Sequence, residues 1–147
     1  MLVVTASIRI DRPLTAVFDT VSDARNEPHW LPGAREVSLV TQGPVEKGAR
    51  FRGLYDRAGV VELELTEFER PTRVTFHAHS RIIDFDDAVH LSELEGATLL
   101  EARMTARPKG LMRLFAFVMR RVLDTQFRAN WGHLKSYLET QAKKPVQ

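Results

Sequence analysis

The sequence predicts an α+β domain, an antiparallel sheet covered by one long C-terminal helix. Three observations carry this. Between Val37 and Ala106 short apolar–polar alternations of period two recur, separated by turn residues, as half-buried strands do. After Pro108-Lys109-Gly110 the period changes: Met112, Phe115, Met119, Leu123, Phe127, Trp131, Leu134 and Leu138 recur three or four apart, the spacing of one helix face. The sheet so formed has one apolar face, and only that helix is large enough to cover it.

The elements follow in order. Val4, Ala6, Ile8 and Ile10 alternate with Thr5, Ser7 and Arg9, a first strand. Asp11-Arg12-Pro13 ends it, and Asp11 is expected to cap the next helix with Pro13 in its first turn. Leu14, Val17, Phe18 and Val21 give that helix one apolar face. NEPHWLPG, from Asn26 to Gly33, is turn-rich with room for one helical turn. Strands are then marked by Val37 and Leu39; by Phe51, Gly53 and Tyr55; and by Val61, Leu63 and Leu65 alternating with Glu62, Glu64 and Thr66. Val74, Phe76 and Ala78 alternate with Thr75, His77 and His79. A further strand runs from about Asp86 to Leu94, and the last carries Leu100, Ala102, Met104 and Ala106. TQGPVEKG, DRAG, Glu69-Arg70-Pro71 and Glu95-Gly96 are the turns between them. The long helix is expected over Leu111 to Gln141, roughly 45 Å. Gly132 within it costs about 1 kcal/mol relative to Ala, so it is expected to mark a bend or a close approach. The expected organisation is a single domain over residues 1–141 with a frayed tail over 142–147.

Composition narrows the function classes. The 147 residues fit one domain, and a 44% hydrophobic content supports a sizeable core. The net charge is only +2 and the signs are interleaved, unlike the concentrated basic patch of a nucleic-acid binder. With no cysteine, disulfides, thiolate metal sites and cysteine nucleophiles are excluded. MLVVTASIRI does not read as a signal peptide. The longest apolar run, Leu114 to Met119, is far too short to span a bilayer. The expectation is a soluble, cytoplasmic protein that does not bind nucleic acid.

His77, His79 and His90 lie close to Asp84, Asp86 and Asp87, residue types that ligate zinc or iron. His77 and His79 share a strand face with Thr75, opposite Val74, Phe76 and Ala78, so both are expected to point outward. A dedicated metal site needs a shielded first shell, and there is no HExxH motif, so no metal is expected. His90 is ambiguous. Facing inward it could bind a ligand oxygen or act as a general base; Val89 and Leu91, the more apolar pair, favour turning it outward. GPVEKGAR has glycines at phosphate-loop separation, but Ala49-Arg50 follow and no helix does, so it reads as a hairpin loop. There is no GxGxxG and no GxSxG. Trp30 and Leu31 sit where the small helices meet the sheet, as an aromatic plug or as a gate. Arg121, Arg128 and Lys135 repeat every seven residues, with Arg113 and Arg120 nearby. Such a face could meet anionic lipid headgroups. Asp124, however, lies four residues from both Arg120 and Arg128 and is expected to pair with each, leaving an ordinary solvated stripe.

IDRPLTAVFDTVSD, NEPHWLPGAREV, GPVEKGARFRG and a long helix reached through ARPKG resemble the START-like helix-grip superfamily (SRPBCC, Bet v 1-like). More narrowly they resemble its polyketide cyclase/dehydrase and lipid-transport group. The resemblance covers about Val4 to Leu138. It implies a curved seven-stranded antiparallel sheet in the order β-α-α-β6-α, wrapped around the C-terminal helix with an apolar cavity between. Its expected lining is Trp30, Phe51, Tyr55, Leu63, Phe76, Met104, Met119, Leu123 and Phe127, with Tyr55 the orienting hydroxyl. The implied function is binding or transport of a small hydrophobic molecule such as a lipid, polyketide-like aromatic or isoprenoid, without a cofactor. An aromatase/cyclase-type enzyme is the rival. It needs acid/base groups inside the pocket, and the inward faces read as poor in them, offering only Tyr55, His90 and Arg52. A protein-interaction module is the third reading. An exposed edge strand permits either a monomer or a homodimer.

Overall fold

In a computed structural model, which describes residues 1–142, seven strands form one antiparallel sheet. The chain runs β1 (Leu2–Ile10), α1 (Leu14–Ser22), a 3-10 turn (Ala24–Asn26), α2 (Glu27–Trp30), β2 (Ala34–Leu39), β3 (Arg50–Tyr55), β4 (Gly59–Glu69), β5 (Arg73–Ser80), β6 (Ile83–Leu94) and β7 (Ala97–Pro108). A 3-10 segment (Gly110–Phe115) then leads into α3 (Ala116–Ala142). The order across the sheet is β1-β7-β6-β5-β4-β3-β2, so β1 and β2 are the edges. Register irregularities between Ala34 and Glu36 and between Leu65 and Glu67 bend β2 and β4, and the sheet curves as a helix-grip sheet does.

The period-two pattern sets the faces. Leu63, Leu65, Val74, Phe76, Ala78, Val89, Leu91, Leu100, Ala102 and Met104 are buried on the inner side. α1 closes one part of it, burying Val17, Phe18 and Val21 against β5, β6 and β7; Phe18 meets the Phe68 ring edge-on at 5.2 Å. Outside this core, Arg70 donates to both Asp19 oxygens at 2.8 and 2.9 Å, fastening α1 to the β4–β5 turn. Asp11 does not cap α1: Pro13 occupies that position without a side-chain bond. The Asp11 backbone N–H donates instead to Glu139 Oε2, so this stretch is tied to the distant helix.

α3 lies along β1 and touches α2. Its buried residues are Phe127, Trp131, Leu134 and Leu138. Trp131 stacks on Trp30 with centroids 5.7 Å apart and meets Phe127 edge-on at 5.7 Å. Lys135 Nζ donates to the Arg9 carbonyl at 2.6 Å, and the Arg12 guanidinium to the Leu138 carbonyl at 2.9 Å. The expected apolar stripe therefore divides in two. Its second half is core; in its first half Met112 and Met119 are half-buried and Phe115 is exposed. The lengths explain this: 27 α-helical residues extend roughly 40 Å, whereas the 9 residues of β1 extend roughly 30 Å. The helix begins as a 3-10 segment rather than as α-helix at Leu111, and it runs through Ala142, one residue past the expected Gln141; residues 143–147, where the rest of the tail was expected, lie outside the described residues.

Gly132 is not a close approach. A Cβ there would meet nothing within 4 Å, and α3 is continuous through it. Gly132→Ala should therefore stabilise the fold by about 0.5–1 kcal/mol, from helix propensity alone. Leu134→Ala, at a site with 0% exposure, should cost about 2–5 kcal/mol. Urea unfolding of both variants checks the pair; a destabilised Gly132→Ala would mean the glycine is held by a contact.

Candidate functional site

The inner face of β6 is not wholly apolar. Ile83, Phe85, Asp87, Val89 and Leu91 share one side of the strand, and Asp87 stands opposite Phe76 on β5 and Met104 on β7. Both neighbours are buried, so a carboxyl group projects into the hydrophobic interior. Its Oδ1 is buried and has no hydrogen-bond partner among the described residues.

A second carboxyl group enters from the other side. Glu27 opens α2, and the Tyr55 hydroxyl donates to its Oε1. Gly53 helps to set this geometry: a Cβ on it would fall 2.5 Å from Tyr55 Cε2 and 3.1 Å from Val37 Cγ2. The Tyr55 ring thus lies over bare backbone and points its hydroxyl at α2. Burial pushes the Glu27 carboxyl up to about 7, against the Tyr55 hydrogen bond. Burial also lifts Asp87 to about 7, with the Glu27 charge adding to it. The Tyr55 phenol is raised by burial, then by the Glu27 charge and hydrogen bond. Near neutral pH each acid is thus poised between its neutral and charged forms, and ionising Glu27 opposes ionising Asp87.

Glu27, Tyr55 and Asp87 are desolvated by surrounding protein, yet each retains some accessible surface, as do Phe85 and Leu123. The two acids and the phenol share one region of the interior. Around it, Trp30, Phe51, Leu63, Phe76, Met104 and Phe127 belong to one buried cluster, with Tyr55 and Leu123 packed against it. Phe51 and Phe76 meet edge-on at 6.1 Å. Met119 is half-buried and is not part of that cluster. The indole nitrogens of Trp30 and Trp131 are also buried without partners among the described residues.

One sequence expectation is corrected, and His90 takes the outward side that Val89 and Leu91 favoured. The interior is not poor in acid/base groups, because Glu27 and Asp87 both face it. His90 and Arg52 are exposed on the opposite side of the sheet, and His90 Nδ1 lies 3.9 Å from Glu101 Oε1. Among the named candidates only Tyr55 is placed with the acids. Asp87 was visible in the alternation: counting back by twos from Leu91 and Val89 reaches it, within the strand expected from about Asp86. Glu27, in a four-residue helix within a turn-rich stretch, has no periodic signal.

His77 and His79 point outward as their strand pattern requires. His77 Nδ1 lies 2.7 Å from Asp86 Oδ1, and Arg107 donates to the other Asp86 oxygen at 2.9 Å. Asp84 Oδ1 lies 2.9 Å from His79 and 2.7 Å from Lys109. The histidine–aspartate stretch is a ladder of cross-strand ion pairs on the outer face. An open concavity of about 830 Å³ takes in His90, Glu101 and Arg103 of that face together with Ala6, Val89 and Ala102 of the inner side, and reaches Arg128 and Trp131 of α3. Its rim carries both signs of charge, and neither Glu27 nor Asp87 lines it.

Among the described residues no helix is long and apolar enough to cross a membrane. No curated protein sequence matches the chain. Among solved structures, the di-domain ARO/CYC BexL from the BE-7585A biosynthetic pathway matches with a TM-score of 0.79 at 18% identity, over 98% of this chain and 48% of that one. TTHA0849 from Thermus thermophilus matches with a TM-score of 0.76 at 14% identity, over 97% and 99% of the two chains. A START superfamily protein from Mycobacterium smegmatis gives 0.70 at 14% identity, over 95% of each. At such identities the likeness is one of fold, the helix grip already described. The sequence itself matches the family described as polyketide cyclase/dehydrase and lipid transport over residues 1–139, and the chain belongs to that family.

Proposed function

We propose that this protein binds a small, largely apolar molecule that carries at least one hydrogen-bonding oxygen. The body of the ligand lies against Phe51, Leu63, Phe76, Met104, Leu123 and Phe127, with Trp30 and Met119 toward its ends, and its polar end meets Glu27, Tyr55 and Asp87. A lipid, an isoprenoid or a polyketide-like aromatic has this character. The observation that carries the reading is the unpartnered oxygen of Asp87 between two buried apolar side chains. A buried carboxyl without partners is costly, and a ligand hydroxyl or carbonyl would supply the missing bond. Binding sites for small molecules combine apolar walls with a few such orienting groups.

A second reading is favoured by the same acids. A carboxyl poised near 7 beside a phenol is suited to enolising a ketone and assisting loss of water, which is cyclase/dehydratase-type chemistry. Binding is common to both readings, and turnover separates them.

Native mass spectrometry of gently purified protein tests binding directly. An adduct that is removed by organic extraction, and that re-forms from the extract, is the expected result. A bare mass that takes up neither the extract nor added isoprenoid, fatty-acid or aromatic polyketide mixtures would overturn the proposal. Gly53→Ala should displace the Tyr55 ring and weaken uptake of the same adduct by about tenfold, the loss of one buried hydrogen bond.

The acids also set a pH dependence. Their folded-state values of about 7 stand above the ordinary 4.5 and 3.8. Between those limits the folded protein holds more protons than the unfolded chain, so stability falls as pH rises toward 7 and levels off above it. Asp87→Asn removes one of the two contributions. Its melting temperature should exceed that of the parent by roughly 4–8 °C at about pH 8, where charging costs roughly 2 kcal/mol after allowance for partial accessibility, and should match it near pH 4. Thermal melts of the ligand-free proteins at both pH values check this; a pH-independent difference would show that Asp87 does not titrate as its burial requires.

A further inference from the structure

Gly110–Leu123 carries most of the exposed apolar surface. Leu111 and Leu114 are each 77% exposed, Phe115 57%, Phe117 94%, Val118 64% and Val122 48%. Scattered exposed hydrophobics are ordinary, but a contiguous set marks an interaction surface. Nothing in the packing of α3 explains this one, since the helix is anchored through Phe127 and the residues beyond it.

The charges around the patch have one sign. Between Gly110 and Leu123 the only ionisable residues are Arg113, Arg120 and Arg121. All three are exposed, and none has an acidic partner among the described residues. Asp124, expected to pair with Arg120 as well as Arg128, reaches only Arg128, at 3.5 Å. Arg120 and Arg121 lie three and four residues beyond Phe117 in α3, so they border its side chain on the helix surface.

We propose that this face docks onto an anionic lipid surface, with Phe117 and the Leu/Val side chains entering the headgroup–acyl boundary and the three arginines meeting lipid phosphates. The charge pattern selects this occupant. A second copy packed two-fold on the same face would set Arg120 and Arg121 against their own counterparts with no acid between them. The phosphates of a bilayer complement them instead. The form of the patch agrees. Leu111, Leu114, Phe115, Val118 and Val122 recur at spacings of one to four residues while Phe117 projects to the side, giving a broad convex surface of the kind an interfacial helix presents. The inner side of the same helix holds Leu123 and Phe127, which pack on the core, so the docking face adjoins the apolar interior.

Flotation with vesicles tests this without any bound ligand. The full-length protein should float with phosphatidylcholine vesicles containing phosphatidylglycerol and much less with phosphatidylcholine alone, and added salt should weaken the interaction. Phe117→Asp should abolish flotation with no change in melting temperature, because the side chain packs against nothing. Arg120→Gln combined with Arg121→Gln should weaken it by about tenfold or more. Failure to float, or flotation indifferent to these substitutions, would overturn the assignment. So would sedimentation equilibrium showing a dimer that Phe117→Asp dissociates, which would give the face to a second copy.

Discussion

The seat of α3 on the edge of the sheet is the contact on which the remainder depends. Trp131 is held between Trp30 and Phe127, and two main-chain carbonyls, of Arg9 and Leu138, accept from Lys135 and Arg12. A curved sheet with one apolar face must be covered, and this seat decides how. It brings the second half of the helix down onto β1 and α2, closes the apolar cluster, and leaves the first half extending beyond the strand. Both the closed apolar interior and the exposed arginine-bordered face follow from where this one helix is fixed and how long it is.

Within the interior the controlling constraint is strand register. Because side chains alternate, Asp87 can point inward only if Phe85 and Val89 do, and then Asp84, Asp86 and His90 must point out. The same register that builds the outer ion-pair ladder therefore places one carboxyl among Phe76 and Met104. That placement opposes stability above the ordinary carboxylate range, as does the buried Glu27. Groups that weaken the resting fold in this way are characteristic of sites whose environment has been arranged for a partner or a reaction. Tyr55 strengthens the inference, because its hydroxyl is already committed to Glu27 while Asp87 Oδ1 has no such partner.

Much of this was legible in the sequence. The strands were visible because each buries one face, so polarity reports geometry directly, and the outward turn of His77 and His79 followed from Val74, Phe76 and Ala78. The helix was visible for the same reason with a different period. What escaped was set by longer-range facts. An apolar residue every three or four positions does not encode how far the facing strand extends, so Phe115 and Leu134 looked alike, although one is exposed and the other has 0% exposure. Asp11 looked like a cap because its type and position suit one; the Glu139 carboxylate, 128 residues away, engages its backbone instead. Glu27 lies where the chain has no period to read, and only the approach of Tyr55 over Gly53 identifies it.

The two ends of α3 face different surroundings, and the transition between them falls within about two turns. Val118 and Val122 lie on the exposed side, Met119 and Leu123 on the half-buried side, and Phe127 is inside. Helical geometry couples these positions rigidly: residues 118 and 122 cannot shift outward without carrying 119 and 123 with them. Phe127 and Trp131 fix the far end, so the exposed turns and the part-buried Leu123 are held by the same anchored helix. The length mismatch between α3 and β1 is what lets one helix carry both an exposed face and a buried one.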